Sequence, residues 1–229
     1  MPPPLPARAR GVGASMSAAT IAVRERPILF SGEMVRAILD GRKIQTRRVV
    51  NPQPPSAEAV RAKSGSNYDV FRRHKADRVW RVAGPVWAVR DLMAREPGWT
   101  CPYGYAGDRL WVRETWQAWT EFDDTRPCDL PTIARTHINY PADGNVWDSR
   151  RRPSIHMPRW ASRITLELTD VRVEAVQEIS EEDAKAEGVP EAASIGKFRV
   201  LWDEINAKRG YGWDANPYVW CLSFRVVQP

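Results

Sequence analysis

The chain has 229 residues, 43% of them hydrophobic and 27% charged, and carries a formal net charge of +6. That balance excludes a collagenous or wholly disordered chain, and no apolar run approaches the roughly 18 residues that a membrane-spanning helix requires. A basic surplus favours anionic partners, nucleic acid first, although a solvated basic surface accounts equally well for the charge alone.

Residues 1–26 are rich in Pro, Ala, Gly and Arg and show no sustained apolar period, which predicts a disordered N-terminal extension. Met16 is an alternative start to Met1. No secretory hydrophobic region is visible, and residues 27–229 read as one domain. The three cysteines, Cys101, Cys128 and Cys221, are odd in number and far apart. A disulfide framework is therefore not expected, and a reducing cytoplasm is. Together with His137 and His156 they form no C-x-x-C or H-x-x-x-H spacing, so no metal and no cofactor is assigned. The 11 tryptophans are either core and groove walls or stacking platforms for bases.

The ordered part opens with a short apolar run, Pro27–Phe30, expected as a strand. Ser31 offers an N-cap, Val35, Ile38 and Leu39 recur at helical spacing, and Gly41 stands where a helix C-terminus needs a residue tolerant of positive φ. These signals predict a helix over 31–40. Its exit is the basic stretch Gly41–Arg48, which packs Arg42, Lys43, Thr46, Arg47 and Arg48 into eight residues. Residues 51–66 read as a Pro/Ser-rich loop, 78–82 and 86–89 as short strands, and 91–106 as mostly loop. Leu110–Trp116 alternates in the manner of a strand after the turn signal Gly107-Asp108, and 117–160 looks irregular. The clearest strand region is 163–176, where Ile164, Leu166 and Leu168 alternate, Asp170 breaks the pattern, and Val171, Val173 and Ala175 resume it. Ser180 with Asp183 resembles a capping box and Gly188 ends the helix that follows. A second helix is expected over about 195–207, with Ile195, Phe198, Leu201, Trp202 and Ile205 on one face, and a last strand over 219–227. Scattered strands with few, short helices predict an α+β fold: a small, partly closed β-barrel with flanking helices and a long insertion at about 51–160.

Three blocks carry a family resemblance: Gly-Arg-Lys-Ile-Gln-Thr-Arg-Arg at 41–48, Gly-Asp-Arg-Leu-Trp-Val-Arg-Glu at 107–114, and Pro-Ser-Ile-His-Met-Pro-Arg-Trp-Ala-Ser-Arg at 153–163. In this order they resemble the ASCH domain, a PUA-like barrel, in its phage and prophage forms, over about residues 27–227. The resemblance implies RNA, DNA or a modified nucleoside as partner. One branch of that superfamily is an amidohydrolase that removes the acetyl group of 4-acetylcytidine. Its motif lysine and threonine fall on Lys43 and Thr46, and its glutamate, in a Glu-x-x-Ala-x-x-Glu context, on Glu187. The chain departs from that branch in length, in the 51–160 insertion and in Ile44, where the branch has a threonine.

Amide hydrolysis needs a nucleophile, a proton acceptor and a proton donor to the leaving amine. Thr46 offers a hydroxyl, Lys43 an amine whose pKa falls if it is buried beside other cations, and Glu187 a carboxylate able to orient Lys43 or pass on the proton. Arg42, Arg47, Arg48, Arg113 and Arg159 are candidate phosphate contacts, Trp111 a candidate stacking surface and Glu114 a further acidic candidate. The bland alternatives stand beside these: a simple ion pair for Lys43 and Glu187, an ordinary strand residue at Thr46, and a solvated rim for the arginines. One geometric condition is explicit. Side chains three apart on a regular strand point to opposite faces, so Lys43 and Thr46 share a face only if the strand starts after Thr46 or a bulge intervenes.

Overall fold

In a computed structural model, the protein is described over residues 23–53, 72–74, 79–81, 100–189 and 194–227. The fold is α+β. Seven strands occur among these residues: β1 (Glu25–Leu29), β2 (Gln45–Val49), β3 (Arg72–His74), β4 (Val79–Arg81), β5 (Arg109–Arg113), β6 (Thr165–Ala175) and β7 (Tyr218–Val227). Four α-helices accompany them: α1 (Gly32–Leu39), α2 (Thr132–Arg135), α3 (Glu181–Ala186) and α4 (Ser194–Asn206). Five strands form one sheet in the order β1-β5-β6-β7-β2, and β3 pairs with β4 separately. β1 runs parallel to β5, and the other three pairings are antiparallel.

The sheet does not close through backbone pairing: β1 and β2 are its two edges. The edges nonetheless approach each other. The Arg48 guanidinium on β2 donates from Nη2 to the Leu29 carbonyl on β1 at 2.7 Å and lies 5.1 Å from the centroid of the Phe30 ring. A single long side chain thus spans what backbone hydrogen bonds leave open.

Local sequence explains the elements that frame this gap. Ser31 accepts from the Met34 amide at 3.4 Å, and Gly41 adopts φ +71° just beyond the Asp40 C-cap, so α1 starts and stops on its expected signals. In β6 the register shifts between Leu168 and Asp170. That bulge moves the inward face from Leu166 and Leu168 to Val171 and Val173, which is why the alternation breaks at Asp170. β7 is covered on both faces. Trp220, Leu222 and Phe224 pack with Ile28, Val35, Ile38 and Leu110 under α1, and Val219 and Cys221 pack with Val176, Ala184, Phe198 and Trp202 under α3 and α4. Each fully buried side chain of this size stabilises the fold by about 1.5–3 kcal/mol.

Three expectations change. β1 begins at Glu25, inside the stretch that composition assigns to the N-terminal extension. Residues 1–22, like the strand expected over 86–89, lie outside the described residues. The part of the insertion that follows residue 113 is irregular in backbone but has a core of its own, with Trp116, Ala118, Leu130, Ala134, Met157 and Ala161 buried together. On α4, Phe198 and Trp202 are buried as expected, but Ile205 is 46% exposed. Leu201 and Ile205 instead face the cleft described next.

Candidate functional site

The C-terminal ends of α1 and α3 meet. Helix ends leave carbonyls without intrahelical partners, and the segment after Gly41 supplies them. The Lys43 amide donates to the Ala37 carbonyl and the Ile44 amide to the Ala186 carbonyl, both at 2.9 Å. Lys43 and Glu187 form an isolated antiparallel bridge. Close approach sets one residue between them: Gly188 has φ +87°, and a Cβ there would sit 3.0 Å from the Lys43 Cβ and 3.1 Å from the Ala37 Cβ.

At this junction the Lys43 ammonium donates to Glu187 Oε2 at 2.6 Å and to the Glu187 carbonyl at 2.7 Å. The two side chains are 1% and 6% exposed. Burial lowers the Lys43 pKa from its ordinary value, Glu187 opposes that shift, and the nearby Arg48 and Arg47 charges add to it; the net direction is down. The ammonium also lies 5.8 Å from the centroid of the Phe30 ring.

Arg47 completes a charge network. From β2 it donates to Gln45 Oε1 at 2.6 Å, to Glu187 Oε1 at 3.3 Å, to Glu174 Oε1 through Nε at 3.0 Å and to Asp183 Oδ2 at 2.8 Å. Arg172 binds the same acids, reaching the other oxygen of Glu174, Oε2, through Nε at 3.0 Å and sharing Asp183 Oδ2 with Arg47 through Nη2. The strand registers explain the gathering. Arg47 and Arg172 both stand opposite Cys221, so three neighbouring strands present one row of side chains. Burial alone would raise the Asp183 pKa, but Arg172 and Arg47 outweigh it and hold the carboxyl below its usual value. Three cations, Lys43, Arg47 and Arg172, therefore meet three carboxylates, Glu174, Asp183 and Glu187.

The network forms one wall of a cleft of about 800 Å³ that opens between the two sheet edges and α4. Thr46, Arg47, Arg48 and Glu187 line it from the network side, Leu29 and Phe30 from the end of β1 and the residue after it, Arg113, Thr115 and Ser154 from β5 and the insertion, and Phe198, Leu201 and Trp202 from α4. The volume falls within the ~300–1,000 Å³ of ordinary ligand clefts.

The candidate residues therefore separate. Thr46, Arg47, Arg48, Arg113 and Glu187 line one cleft, while Lys43 is not among its lining residues and stands behind Glu187. β2 begins at Gln45, before Thr46, so the condition that the strand start after Thr46 is not met. Thr46 shares the cleft lining with Glu187, which in turn holds Lys43. Arg42 is exposed, pairs with Asp40 at 2.7 Å and is not a lining residue. Trp111 is 8% exposed and lies beneath Arg113, whose guanidinium is 4.6 Å from its ring centroid. Arg159 pairs with Glu25 at 3.0 Å on the surface. Glu114 is buried against Arg163, which also binds Asp143, and burial raises the Glu114 pKa. Sequence reasoning missed Glu174 and Arg172 as site residues and saw Asp183 only as a capping residue. The available signal was the Arg172-x-Glu174 alternation on β6, which places both side chains on one face, but its partner Arg47 lies more than a hundred residues away.

No family model matches the chain, and no curated protein matches it. Among solved structures the fold is similar to the crystal structure of protein EF3133 from Enterococcus faecalis V583, of family DUF984, at a TM-score of 0.40 and 11% identity, covering 90% of this chain and 82% of that one. A likeness at that level transfers no activity.

Proposed function

We propose that the chain is an ASCH-type, PUA-like domain whose cleft binds an acylated nucleobase and hydrolyses the exocyclic amide, with 4-acetylcytidine as the model substrate. The observation that carries the reading is the pairing of a buried, pKa-lowered Lys43 with Glu187 at 2.6 Å where Glu187 and Thr46 line the same cleft. The side-chain bridge between the β1 and β2 edges supports a partly closed barrel with its mouth at this cleft.

In this mechanism the Thr46 hydroxyl attacks the acyl carbon while the Glu187–Lys43 pair takes its proton. The tetrahedral intermediate collapses, the C–N bond breaks, and the same pair returns the proton to the leaving amine. Water then hydrolyses the threonyl ester, giving acetate and free Thr46. Lys43, one contact behind the cleft surface, orients the Glu187 carboxylate and does not touch the substrate. Incubating purified protein with 4-acetylcytidine and following cytidine release tests the reading, with Lys43→Ala and Glu187→Ala as controls. Cytidine release that both substitutions abolish is the expected result. No turnover by folded protein on either nucleoside or polymer would overturn it.

A binding-only reading has one specific observation in its favour: both oxygens through which Glu187 meets Lys43 and Arg47 are already engaged by cations. That reading expects salt-sensitive RNA or DNA binding with no product formed.

A further inference from the structure

The cleft contains two kinds of guanidinium. Arg47 is fully covered and bound by three carboxylates. Arg48 and Arg113 are half-buried, and their hydrogen bonds among the described residues go to backbone carbonyls alone. Arg48 donates to Leu29 at 2.7 Å and to the Arg47 carbonyl at 3.3 Å, and Arg113 donates to the Ile155 carbonyl at 3.2 Å. Arg113 Nε is buried with no acceptor within reach. The two arginines belong to one rim, because Leu29, whose carbonyl holds Arg48, is the ladder partner of Arg113. Three acids line the same cleft: Glu187 is held by Lys43 and Arg47, Glu33 and Glu204 are exposed helix residues, and among the described residues none of the three pairs with Arg48 or Arg113. Ser31, Thr115 and Ser154 add neutral hydroxyls to the same rim.

A partly buried cation left without a counter-charge is costly, and an orphaned N–H adds to the cost. Evolved sites keep such groups where a ligand completes them. We propose that Arg48 and Arg113 form a subsite for a phosphate group, so that the cleft takes a phosphorylated nucleoside, free or within a strand, in preference to the bare nucleoside. The proposal rests on the reading of the cleft as a nucleobase site. The planar donor fork of arginine fits a phosphate through paired N–H donors, whereas Arg47, already saturated by acids, has no part in it.

The test is a binding measurement, independent of turnover. The affinities of cytidine, cytidine 5′-monophosphate and a short cytidine oligonucleotide are compared by calorimetry on the full chain at fixed ionic strength. The monophosphate is expected to bind about tenfold or more tightly than cytidine, the gain of one charge-assisted contact. Arg113→Gln and Arg48→Gln are each expected to shrink that ratio towards one, and Arg113→Lys to restore part of it. A gain for the monophosphate assigns the subsite to a free nucleotide. A gain only for the oligonucleotide assigns the same subsite to a strand phosphate. Equal affinity for all three ligands overturns the proposal, as does a ratio unchanged in both glutamine variants. Hydrolysis of 4-acetylcytidine with no phosphate preference would leave the amidohydrolase reading standing and sink this inference alone, whereas a phosphate preference without hydrolysis would do the reverse.

Discussion

Glu187 and Glu114 are both buried carboxylates held by a cation, and they sit in opposite situations. Glu187 shares its oxygens between Lys43 and Arg47 and faces the cleft. Glu114 accepts two hydrogen bonds from Arg163, at 2.9 and 3.1 Å, and is not among the residues that line this cleft. Arg163 goes on to Asp143 at 2.7 Å and packs 4.0 Å from the Tyr140 ring centroid, so the Glu114 cluster clamps the insertion onto the sheet. The raised pKa of Glu114 follows from burial without access. A perturbed or paired acid is thus evidence of a low-dielectric setting, and only the second condition, a face open to a ligand, makes it a candidate for chemistry.

The largest effect that breaks this symmetry is on turnover. Glu187→Gln keeps the side-chain shape and is expected to lower kcat/KM on 4-acetylcytidine by about 10²–10⁴-fold, the range of a lost acid–base group. Circular dichroism on the same sample checks that the fold is retained. Next in size is the converse substitution. Glu114→Gln is expected to cost about 1–3 kcal/mol of stability, read as a lower urea midpoint, because Arg163 loses a charged acceptor while it keeps Asp143. A loss of activity larger than the loss of folded protein would move Glu114 into the site.

Gly188→Ala tests the junction itself. A left-handed backbone costs an alanine about 1–2 kcal/mol, and the new methyl would press on Lys43 and Ala37. The variant is expected to lower both the thermal midpoint and turnover, with turnover falling further. An effect on stability alone would show that the position of Lys43 does not matter to the reaction.

The smallest effects are in pH dependence. Lys43 has a folded pKa below its unfolded value of 10.5, so between the two the unfolded chain binds more protons and stability rises with pH. The penalty of the buried charge is present in full below the folded pKa and is relieved as pH rises through that window. Lys43→Met is expected to flatten the alkaline rise in urea midpoint. Asp183 also makes stability rise with pH, on the acid side and for the opposite reason, since the fold favours its charged form. Its folded pKa lies below 3.8, so the stability it contributes is present above 3.8 and is lost as pH falls through the folded value. An acid limb unchanged in Asp183→Asn would remove Asp183 from the network.

Much of the frame was legible in the chain because local signals decide it. The Ser31 cap, the Gly41 and Gly188 stops and the β6 alternation with its break at Asp170 are all written within a few residues of where they act, whereas β7 read as apolar on one side and is buried on both. The pairing of Lys43 with Glu187 came from motif resemblance, since nothing local links residues 144 apart. The Arg47 network was not legible at all. It depends on three strands standing side by side opposite Cys221, and strand order is a property of the sheet that no single segment encodes. The apolar stripe of α4 misled for a related reason: Leu201 and Ile205 have the periodicity of core but line a cleft, and periodicity does not distinguish a buried face from a ligand-facing one.

The comparison of the two glutamates also gives the most direct single measurement. Cytidine and acetate released from 4-acetylcytidine are quantified for the native chain, Glu187→Gln and Glu114→Gln at equal concentrations of folded protein. The expected result is equimolar products over many turnovers from the native chain, a loss of at least about a hundredfold in Glu187→Gln, and a rate within about twofold of native in Glu114→Gln. Equal rates in the two variants, or no product from the native chain, would contradict the assignment of the chemistry to the cleft that Glu187 faces.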